Sequence, residues 1–328
     1  MSEIAAEVWR GGAVESVHAA DLALVVADEP QPGRIVSTWG NPYAPVYLRS
    51  AAKPVQAAGA YALGLAGLGI EPGSRHLAIM AASHGAAPDQ VAAVRDLLAL
   101  AGLDEAALDC GAHEPLSAAG REALAGAAPT SICGNCSGKH AGMMAACCVQ
   151  GWPVEGYRQP DHPLQRHLRA DFARVMGVPP GELCDGVDGC GVPVWGVALP
   201  RAAHAFARLC EGELAPIGQA MRAHPELVGA PEGFNVRLMQ AMPEVVAKNG
   251  AEGVFCLGLP ERRLGLALKV RDGSHRAVPA IVLGVLRDLG LPTPDALAEF
   301  VEPEIRNLHG EVVGQIRAVR HLQPPIDF

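Results

Sequence analysis

Two cysteines, a lysine and a histidine fall within eight residues in the run Cys133-Gly134-Asn135-Cys136-Ser137-Gly138-Lys139-His140. Packing alone does not explain such a density of reactive side chains. Three chemistries fit it: a metal site, a dithiol redox pair, or a helix N-terminus that binds an anion. The order of elements lacks the βαβ context of a redox pair, and no second C-x-x-C or histidine pair follows for a structural zinc site. A third interpretation uses Cys136, Lys139 and His140 with one distant thiol.

The run Cys184-Asp185-Gly186-Val187-Asp188-Gly189-Cys190-Gly191 holds a second concentration of polar groups. Its glycines let the backbone approach a ligand closely. Cys190 is the candidate distant thiol, and Asp188 is a candidate for binding an amino group. The alternative is a glycine-rich turn in which the aspartate only accepts hydrogen bonds from the backbone. Cys110 and His113 have no partner pair at ligand spacing, so we interpret them as structural.

Ser50 and Lys53 form a Ser-x-x-Lys pattern at the start of a predicted helix. Residues three apart lie on one helical face, and a neutral lysine can take the proton of a serine that acts as a nucleophile. The alternative is a serine cap followed by a surface lysine. Ser83 ends an apolar element before Gly85 and presents either a second reactive hydroxyl or a helix cap.

Lys269 stands in the otherwise apolar run Leu264-Gly265-Leu266-Ala267-Leu268-Lys269-Val270. A buried lysine is costly unless it is paired or neutral, so this position is either functional or faces outward from an edge strand.

Both β-strands and α-helices are predicted to position these residues. Short apolar runs separated by glycine and proline predict antiparallel hairpins over residues 7–48, and two more strands over residues 251–259 and 264–270. Apolar spacing predicts helices after Ser50, over residues 141–150 and over residues 276–290.

The chain has 328 residues, of which 49% are hydrophobic, enough for a large buried core. No repeat or linker appears, so we expect a single catalytic domain over residues 1–328. The net charge of −9 argues against nucleic-acid binding, and nine cysteines in so long a chain do not indicate a disulfide framework. The first seven residues lack a basic segment, and no apolar run reaches 18 residues. We therefore expect a cytoplasmic protein without membrane contact.

These stretches, taken in order, resemble the Rhizobium-type L-asparaginases, also called class 3 or the asparaginase II family. The match runs over nearly the whole chain, and its most specific parts are the cysteine–lysine motif and the Asp-Gly-Cys that follows. The stretches that carry it are Arg10-Gly11, Arg49-Ser50-Ala51-Ala52-Lys53-Pro54, Ala82-Ser83-His84, Asn135 to Gly142, Gly151-Trp152-Pro153, His162-Pro163-Leu164-Gln165, Asp188 to Pro193, His224-Pro225 and Leu268-Lys269-Val270.

The resemblance implies an enzyme that hydrolyses L-asparagine to L-aspartate and ammonia, usually as a homodimer. It implies a mixed α/β (α+β) fold like that of serine β-lactamases and glutaminases, with an antiparallel sheet flanked by helices. The implied roles are two Ser-Lys pairs, a zinc ion completed by water, and a set of side chains that hold the substrate or the network around it. The pairs are Ser50–Lys53 and Ser83–Lys269, the zinc ligands are Cys136, Lys139 and Cys190, and the substrate residues are Arg49, His140 and Asp188.

We expect Ser50 to be the nucleophile with Lys53 as base, and Ser83–Lys269 to activate and relay protons, although the reverse order stays open. We expect zinc to fix the loops rather than to activate water. Three places depart from the family pattern: Asn235 stands where an acid is usual, Gly85-Ala86-Ala87-Pro88 replaces the usual Ser-Gly-Glu-Pro type, and Cys133 adds a thiol. The alternatives are another Ser-Lys acyl enzyme, such as a β-lactamase, peptidase or esterase, and a non-catalytic metal-binding or redox protein.

Overall fold

The computed structural model describes residues 2–28 and 33–322. Within them, strands and helices are interspersed along the chain. The strands are β1 (Glu3–Arg10), β2 (Ala13–Val26), β3 (Arg34–Trp39), β4 (Val46–Tyr47), β5 (Cys184–Val187), β6 (Pro193–Val197), β7 (Val246–Gly250), β8 (Val254–Leu259), β9 (Leu264–Val270), β10 (Glu304–Arg306) and β11 (Val312–Ala318).

The helices are mostly short and rich in alanine, and a 3-10 helix (Arg49–Ala52) leads directly into the first of them. They are α1 (Lys53–Tyr61), α2 (Arg75–Met80), α3 (Pro88–Leu100), α4 (Ala118–Leu124), α5 (Ser137–Gln150), α6 (Pro163–Met176), α7 (Leu199–Ala207), α8 (Ala215–Ala223), α9 (Pro225–Val228), α10 (Phe234–Ala241) and α11 (Val278–Asp288).

The larger sheet has the strand order β10-β11-β1-β2-β9-β8-β7, and β3 pairs with the second half of β2. A smaller sheet has the order β4-β6-β5. All the pairings are antiparallel. The predicted antiparallel sheet with flanking helices is therefore confirmed. The predicted hairpins over residues 7–48 are confirmed in their described part, while their turn at residues 29–32 lies outside the described residues.

The central strands are buried on both faces, as expected when helices cover a sheet. Every residue of β8 is buried, and the apolar run of β9 is buried except at Lys269. Helix α7 packs against β9 and β8, so residues such as Gly258 and Gly265 lie directly beneath its backbone. No helix in the described part of the chain has both the length and the apolar character needed to cross a bilayer.

Candidate active site

A cleft of about 450 Å³ opens where the segment before α1, the β7–β8 turn, the β5–β6 turn and the loop before α5 meet. Five of the ten site residues predicted from the sequence line it: Arg49, Ser50, Cys136, Asp188 and Cys190. Its lining comprises Arg49, Ser50, Cys110, His113, Glu114, Leu116, Gly134, Asn135, Cys136, Asp188, Gly189, Cys190 and Ala251. Cys110 and His113, interpreted as structural from the sequence, also line this cleft.

Ser50 reaches the cleft from the 3-10 helix that precedes α1. The residue before it, Arg49, has a φ of +51°. A residue with a Cβ pays about 1–2 kcal/mol for that left-handed conformation. Here the conformation places Arg49 and Ser50 side by side at the cleft, and the Arg49 Nε donates to Asp188 Oδ1 over 2.7 Å. Strain concentrated next to a reactive hydroxyl is a common feature of functional sites.

Ser83 lies behind the cleft, almost completely buried, between two lysines. Lys53 Nζ lies 3.0 Å from Ser83 Oγ, and Lys248 Nζ lies 2.9 Å from the same oxygen. Lys53 Nζ also donates to the carbonyls of Ala82 over 2.6 Å and of Asn135 over 3.3 Å. Lys53 is therefore held in place by the loops that carry Ser83 and the cysteine–lysine motif.

Lys248 comes from β7 and is completely buried. Its Nζ donates to the carbonyl and to the side-chain oxygen of Asn249, each over 2.9 Å. Burial, and after it the positive charge of Lys53, hold the pKa of Lys248 well below its usual value. Lys248 is thus the side chain here most ready to hold an unprotonated amine at neutral pH.

Gly250 lets β7 approach the backbone on either side of Ser50. A Cβ at this position would lie 2.3 Å from the Leu48 carbonyl oxygen and 3.3 Å from the Ala51 nitrogen. Only glycine permits this approach of the two backbones. The end of β7 is therefore packed directly against the backbone on either side of Ser50.

The pairing of Ser83 with Lys269 is corrected by the structure. Lys269 Nζ donates to the Glu252 carbonyl, at the β7–β8 turn, and its side chain is only partly buried. In the sheet register Lys248 lies opposite Cys256, which lies opposite Ala267. Two strand spacings and two residues along β9 therefore separate Lys269 from Lys248, which places their backbones roughly 12 Å apart. The lysine that reaches Ser83 is Lys248.

Sequence reasoning missed Lys248, although a signal was present. The run Val245-Val246-Ala247-Lys248-Asn249-Gly250 places one charge at the end of an apolar segment. A lysine followed by a polar residue and glycine is the third motif of serine β-lactamases, after Ser-x-x-Lys and a second serine. Lys248-Asn249-Gly250 has this pattern, and its lysine contacts Ser83.

The loop after Ser83 is fastened to α5 by His84. The His84 ring accepts from the Ala86 amide over 3.1 Å at Nδ1 and lies 2.7 Å from Ser137 Oγ at Nε2. Since Ser137 Oγ donates to the Ile132 carbonyl, His84 Nε2 carries the proton. Burial lowers the pKa of His84 to about 3, with a further contribution from Lys53, so this ring is a neutral structural link.

Cys136, Lys139 and Cys190 converge, as the sequence predicts for a shared site. Lys139 Nζ donates to Cys190 Sγ over 3.1 Å, and all three side chains are buried. A hydrogen bond from Cys190, together with the charges of Lys53 and Lys139, lowers the pKa of Cys136 well below its usual value despite burial. The hydrogen bond to Cys136 and burial raise the pKa of Cys190.

The charge of Lys139 fits this arrangement. Burial acts to lower its pKa, but Cys190, Cys136 and Asp188 outweigh burial and raise it. A positive charge is therefore favoured at the point where the two sulfurs meet. A zinc ion would supply such a charge, and sulfur and nitrogen ligands around it are separated by about 3.5 Å, close to the Lys139–Cys190 contact.

The donor set thus fits zinc, with Lys139 as a necessary member. The described residues contain no group of three or more histidine, cysteine, aspartate or glutamate side chains positioned for a metal. Two cysteines and a lysine would leave one coordination position for water. Cys133 is buried outside this set and lines a separate cleft with Ala86, Pro88 and Ile132.

Asp188 and His140, predicted to hold the substrate, occupy different surroundings. Burial acts to raise the pKa of Asp188, but Lys139, Arg49 and the Gly189 amide outweigh it, so the pKa is lowered. His140 is completely buried and does not line the cleft. Its Nδ1 lies 2.6 Å from the Tyr157 hydroxyl, and its Nε2 has no partner among the described residues.

Comparison with known proteins decides the family. The family model for L-asparaginase II matches residues 6–318, nearly the whole chain. The chain belongs to the L-asparaginase II family. Members of this family are hydrolases, and the motifs quoted for the resemblance lie within the matched residues. A search of curated proteins gave no match.

Similar solved structures are distant in sequence. A β-lactamase from Mycobacterium bovis has 15% identity and a TM-score of 0.41, covering 83% of this chain and 95% of that one. The hydrolase EstCE1, described as having promiscuous acyltransferase activity, has 12% identity, a TM-score of 0.38 and coverage of 76% and 88%. A simvastatin synthase mutant from Aspergillus terreus has 10% identity, a TM-score of 0.34 and coverage of 76% and 86%.

Proposed function

We propose that this member of the family hydrolyses L-asparagine to L-aspartate and ammonia by a serine-based mechanism. The observation that carries the proposal is the different position of the two serines: Ser50 lines the open cleft, whereas Ser83 lies behind it between Lys53 and Lys248. A nucleophile must contact the substrate, as Ser50 can, and a proton relay must contact the basic groups that it connects, as Ser83 does.

The ion pair at the cleft matches the substrate class. Arg49 and Asp188 present opposite charges 2.7 Å apart beside Ser50. A free amino acid carries a carboxylate and an ammonium group on neighbouring atoms. The guanidinium of Arg49 can bind the carboxylate, and Asp188 can bind the ammonium group. This arrangement favours a free amino-acid amide over a peptide, in which both groups are blocked.

The chemistry follows from the two lysines. Two ammonium groups converging on one buried oxygen repel each other, so one lysine is neutral, and the lowered pKa of Lys248 makes it the neutral one at rest. A proton can pass from Lys53 through Ser83 to Lys248, which leaves Lys53 free to accept the Ser50 proton. Ser50 Oγ then bonds to the amide carbon, and as the C–N bond breaks, Ser83 passes the proton held by Lys248 to the amide nitrogen, which leaves as ammonia. Water then attacks the resulting ester and gives its proton through Ser83 to Lys248. The ester bond to Ser50 Oγ breaks, Lys53 returns a proton to that oxygen, and aspartate is released.

Zinc, bound by Cys136, Lys139 and Cys190, would replace the ammonium charge of Lys139 and fix the two turns that carry Asp188 and Cys136. A bound zinc ion would supply electrostatic stabilisation there. We further propose that the protein is a cytoplasmic homodimer. Light scattering on the purified protein would test the dimer, and cell fractionation would test the location.

Ammonia release tests the function directly. We expect turnover of L-asparagine, with slower release from L-glutamine and from the D-forms. Activity confined to glutamine, or none on any of the four amides, would contradict the proposal.

A second candidate is a broader Ser-Lys acyl hydrolase. Ser50-Ala51-Ala52-Lys53 matches the Ser-x-x-Lys motif of serine β-lactamases and penicillin-binding proteins. Their second motif is matched only in its serine, Ser83, and their third only in its lysine and glycine, Lys248 and Gly250. Nitrocefin and a fluorogenic ester separate the two functions, because rapid turnover of either with none on asparagine would favour the second.

A further inference from the structure

The amine of Lys248 has three oxygen neighbours, and two of them belong to the next residue, Asn249. Lys248 Nζ lies 2.9 Å from Ser83 Oγ, 2.9 Å from the Asn249 carbonyl oxygen and 2.9 Å from Asn249 Oδ1. Asn249 is partly buried and is not among the residues that line the cleft of Ser50. Its side chain has no part in the hydrolysis proposed above.

The hydrogens of the two lysines can be counted against their acceptors, starting with Lys53. Its Nζ has three oxygen neighbours, which an ammonium group satisfies with its three hydrogens. These oxygens are Ser83 Oγ and the carbonyls of Ala82 and Asn135. Since Ser83 Oγ accepts from Lys53, it keeps its own hydrogen to donate. That hydrogen is donated to Lys248 Nζ, the other nitrogen in contact with this oxygen.

A neutral amine then fits the position of Lys248. Such an amine has one lone pair and two hydrogens. The lone pair accepts the Ser83 hydrogen, and the two hydrogens are donated to the two oxygens of Asn249. Burial, and after it the charge of Lys53, lower the pKa of Lys248 well below its usual value, in agreement with this count.

We propose that Asn249 is a positioning residue whose two oxygens hold both hydrogens of the neutral Lys248 amine, so that its lone pair faces Ser83. When Ser83 gives its proton to Lys248 and takes one from Lys53, the new N–H bond forms on that lone pair and the contacts to Asn249 persist. Any residue at position 249 supplies the carbonyl, so Oδ1 is the contribution of asparagine. This role rests on the proposed function, since it belongs to the same proton relay.

Other ionisable side chains also act on the charge of Lys248. Burial raises the pKa of Cys256 and lowers that of His275, so both are uncharged at neutral pH. The negative charge of Cys136 favours a charged Lys248, and the positive charge of Lys53 disfavours it. A substitution of Asn249 leaves all of these groups in place. A change in the titration of Lys248 therefore reports the loss or gain of charge at Oδ1.

The chain has four lysines, so protein made with ¹³C-labelled lysine gives four side-chain signals by NMR, and Lys248→Met identifies that of Lys248. In the unmodified chain we expect Lys248 to be neutral at neutral pH. Asn249→Asp, whose carboxylate favours a charged amine, should raise the pH at which Lys248 titrates by about one to three units. Asn249→Leu, which is similar in shape but has no acceptor, should lower that pH.

The pH profile of kcat should follow the same order. Turnover stops when both lysines are charged, so it is lost as the pH falls through the pKa of Lys248. The acidic limb should therefore move to higher pH in Asn249→Asp and to lower pH in Asn249→Leu, with KM within about twofold of the unmodified value. Asn249→Leu should also lower the plateau of kcat about tenfold, because Lys248 becomes a weaker proton acceptor.

Asn307→Asp is the matched control. Asn307 follows β10, at the opposite edge of the larger sheet from β7, and its Oδ1 accepts from the backbone amides of His309 and Glu311 as a carboxylate would. This variant adds the same charge far from Lys248 and should change neither the NMR titration nor the pH profile.

A charged Lys248 at neutral pH in the unmodified chain would overturn the proposal, and so would an unchanged Lys248 titration in Asn249→Asp. Loss of kcat at every pH without a shift of the limb would mean that Asn249 only supports the structure of β7, which also overturns it. If the unmodified chain hydrolyses no amide, the proposed function fails, while the titration still decides whether Asn249 holds the Lys248 amine.

Discussion

Lys248 Nζ lies 2.9 Å from Ser83 Oγ, although the two residues are 165 positions apart in the chain. The contact joins β7, the last strand in the order of the larger sheet, to the loop after α2, and it completes a row in which Lys53, Ser83 and Lys248 follow one another behind Ser50. It also gives the site a lysine whose pKa is held well below its usual value by burial.

Replacing Lys248 and Lys269 by methionine in separate variants tests which lysine serves Ser83. We expect Lys248→Met to lower the rate of ammonia release by about 10²–10⁴-fold, because it removes a proton acceptor in contact with the relay. Lys269→Met should lower it less than about tenfold, since Lys269 Nζ donates to the Glu252 carbonyl at the turn and Ser83 is contacted by Lys248 instead. Steady-state assays with circular dichroism as a folding control measure both. The reverse order of effects would restore the Ser83–Lys269 pairing.

Ser50→Ala and Ser83→Ala distinguish the nucleophile from the relay. Ser50→Ala should abolish covalent labelling and lower kcat by roughly 10⁴-fold or more, as nucleophile removal does in serine hydrolases. Ser83→Ala should slow turnover while still forming the acyl intermediate, which mass spectrometry after rapid quenching detects. An acyl group found on Ser83 in the Ser50→Ala variant would exchange the two roles.

The proposed zinc site can be tested by measuring metal content, without an activity assay. Elemental analysis should find about one zinc per chain, and Cys136→Ser or Cys190→Ser should lose it, since each removes a thiolate ligand. Cys133→Ser is the matched control and should keep the metal. Equal zinc content in all three variants, or none in the unmodified chain, would contradict the ligand assignment.

Acid stability should depend on His84. Its pKa in the folded state is about 3, below the unfolded value of about 6.5, so between these values only the unfolded chain takes up a proton. The free energy of unfolding should therefore fall as the pH is lowered through this window, by up to about 1.4 kcal/mol per pH unit. His84→Gln keeps a donor and an acceptor but cannot titrate. Urea titrations at pH 7 and pH 5 should show a smaller loss of stability in this variant than in the unmodified chain.

Gly250→Ala tests whether activity depends on the close approach of β7 to the backbone around Ser50. The added Cβ would lie 2.3 Å from the Leu48 carbonyl, so the backbone beside Ser50 has to shift. We expect kcat to fall by about 10²-fold, the order of loss that a 1 Å misplacement causes. Gly12→Ala, where a Cβ meets nothing within 4 Å, is the control and should keep full activity.

The amino-acid sequence determined much of the site. Residue types and spacing alone marked Ser50 with Lys53 and the run from Cys136 to His140, because such pairs are close in any helix. Asp188 and Cys190 were also recognised, since glycines around polar groups mark a turn that approaches a ligand. The alternation of apolar runs and turns predicted the hairpins of the first fifty residues.

Contacts between distant segments needed the tertiary structure. Lys248 and Lys269 are both lysines in apolar strands, and locally only the short Lys-Asn-Gly pattern after Lys248 distinguishes them. The sheet register decides, because it places Lys248 under Ser83 and leaves Lys269 two strands away. The sequence thus determined which groups are present, and the packing of β7 against the segment around Ser50 decided which of them can exchange a proton.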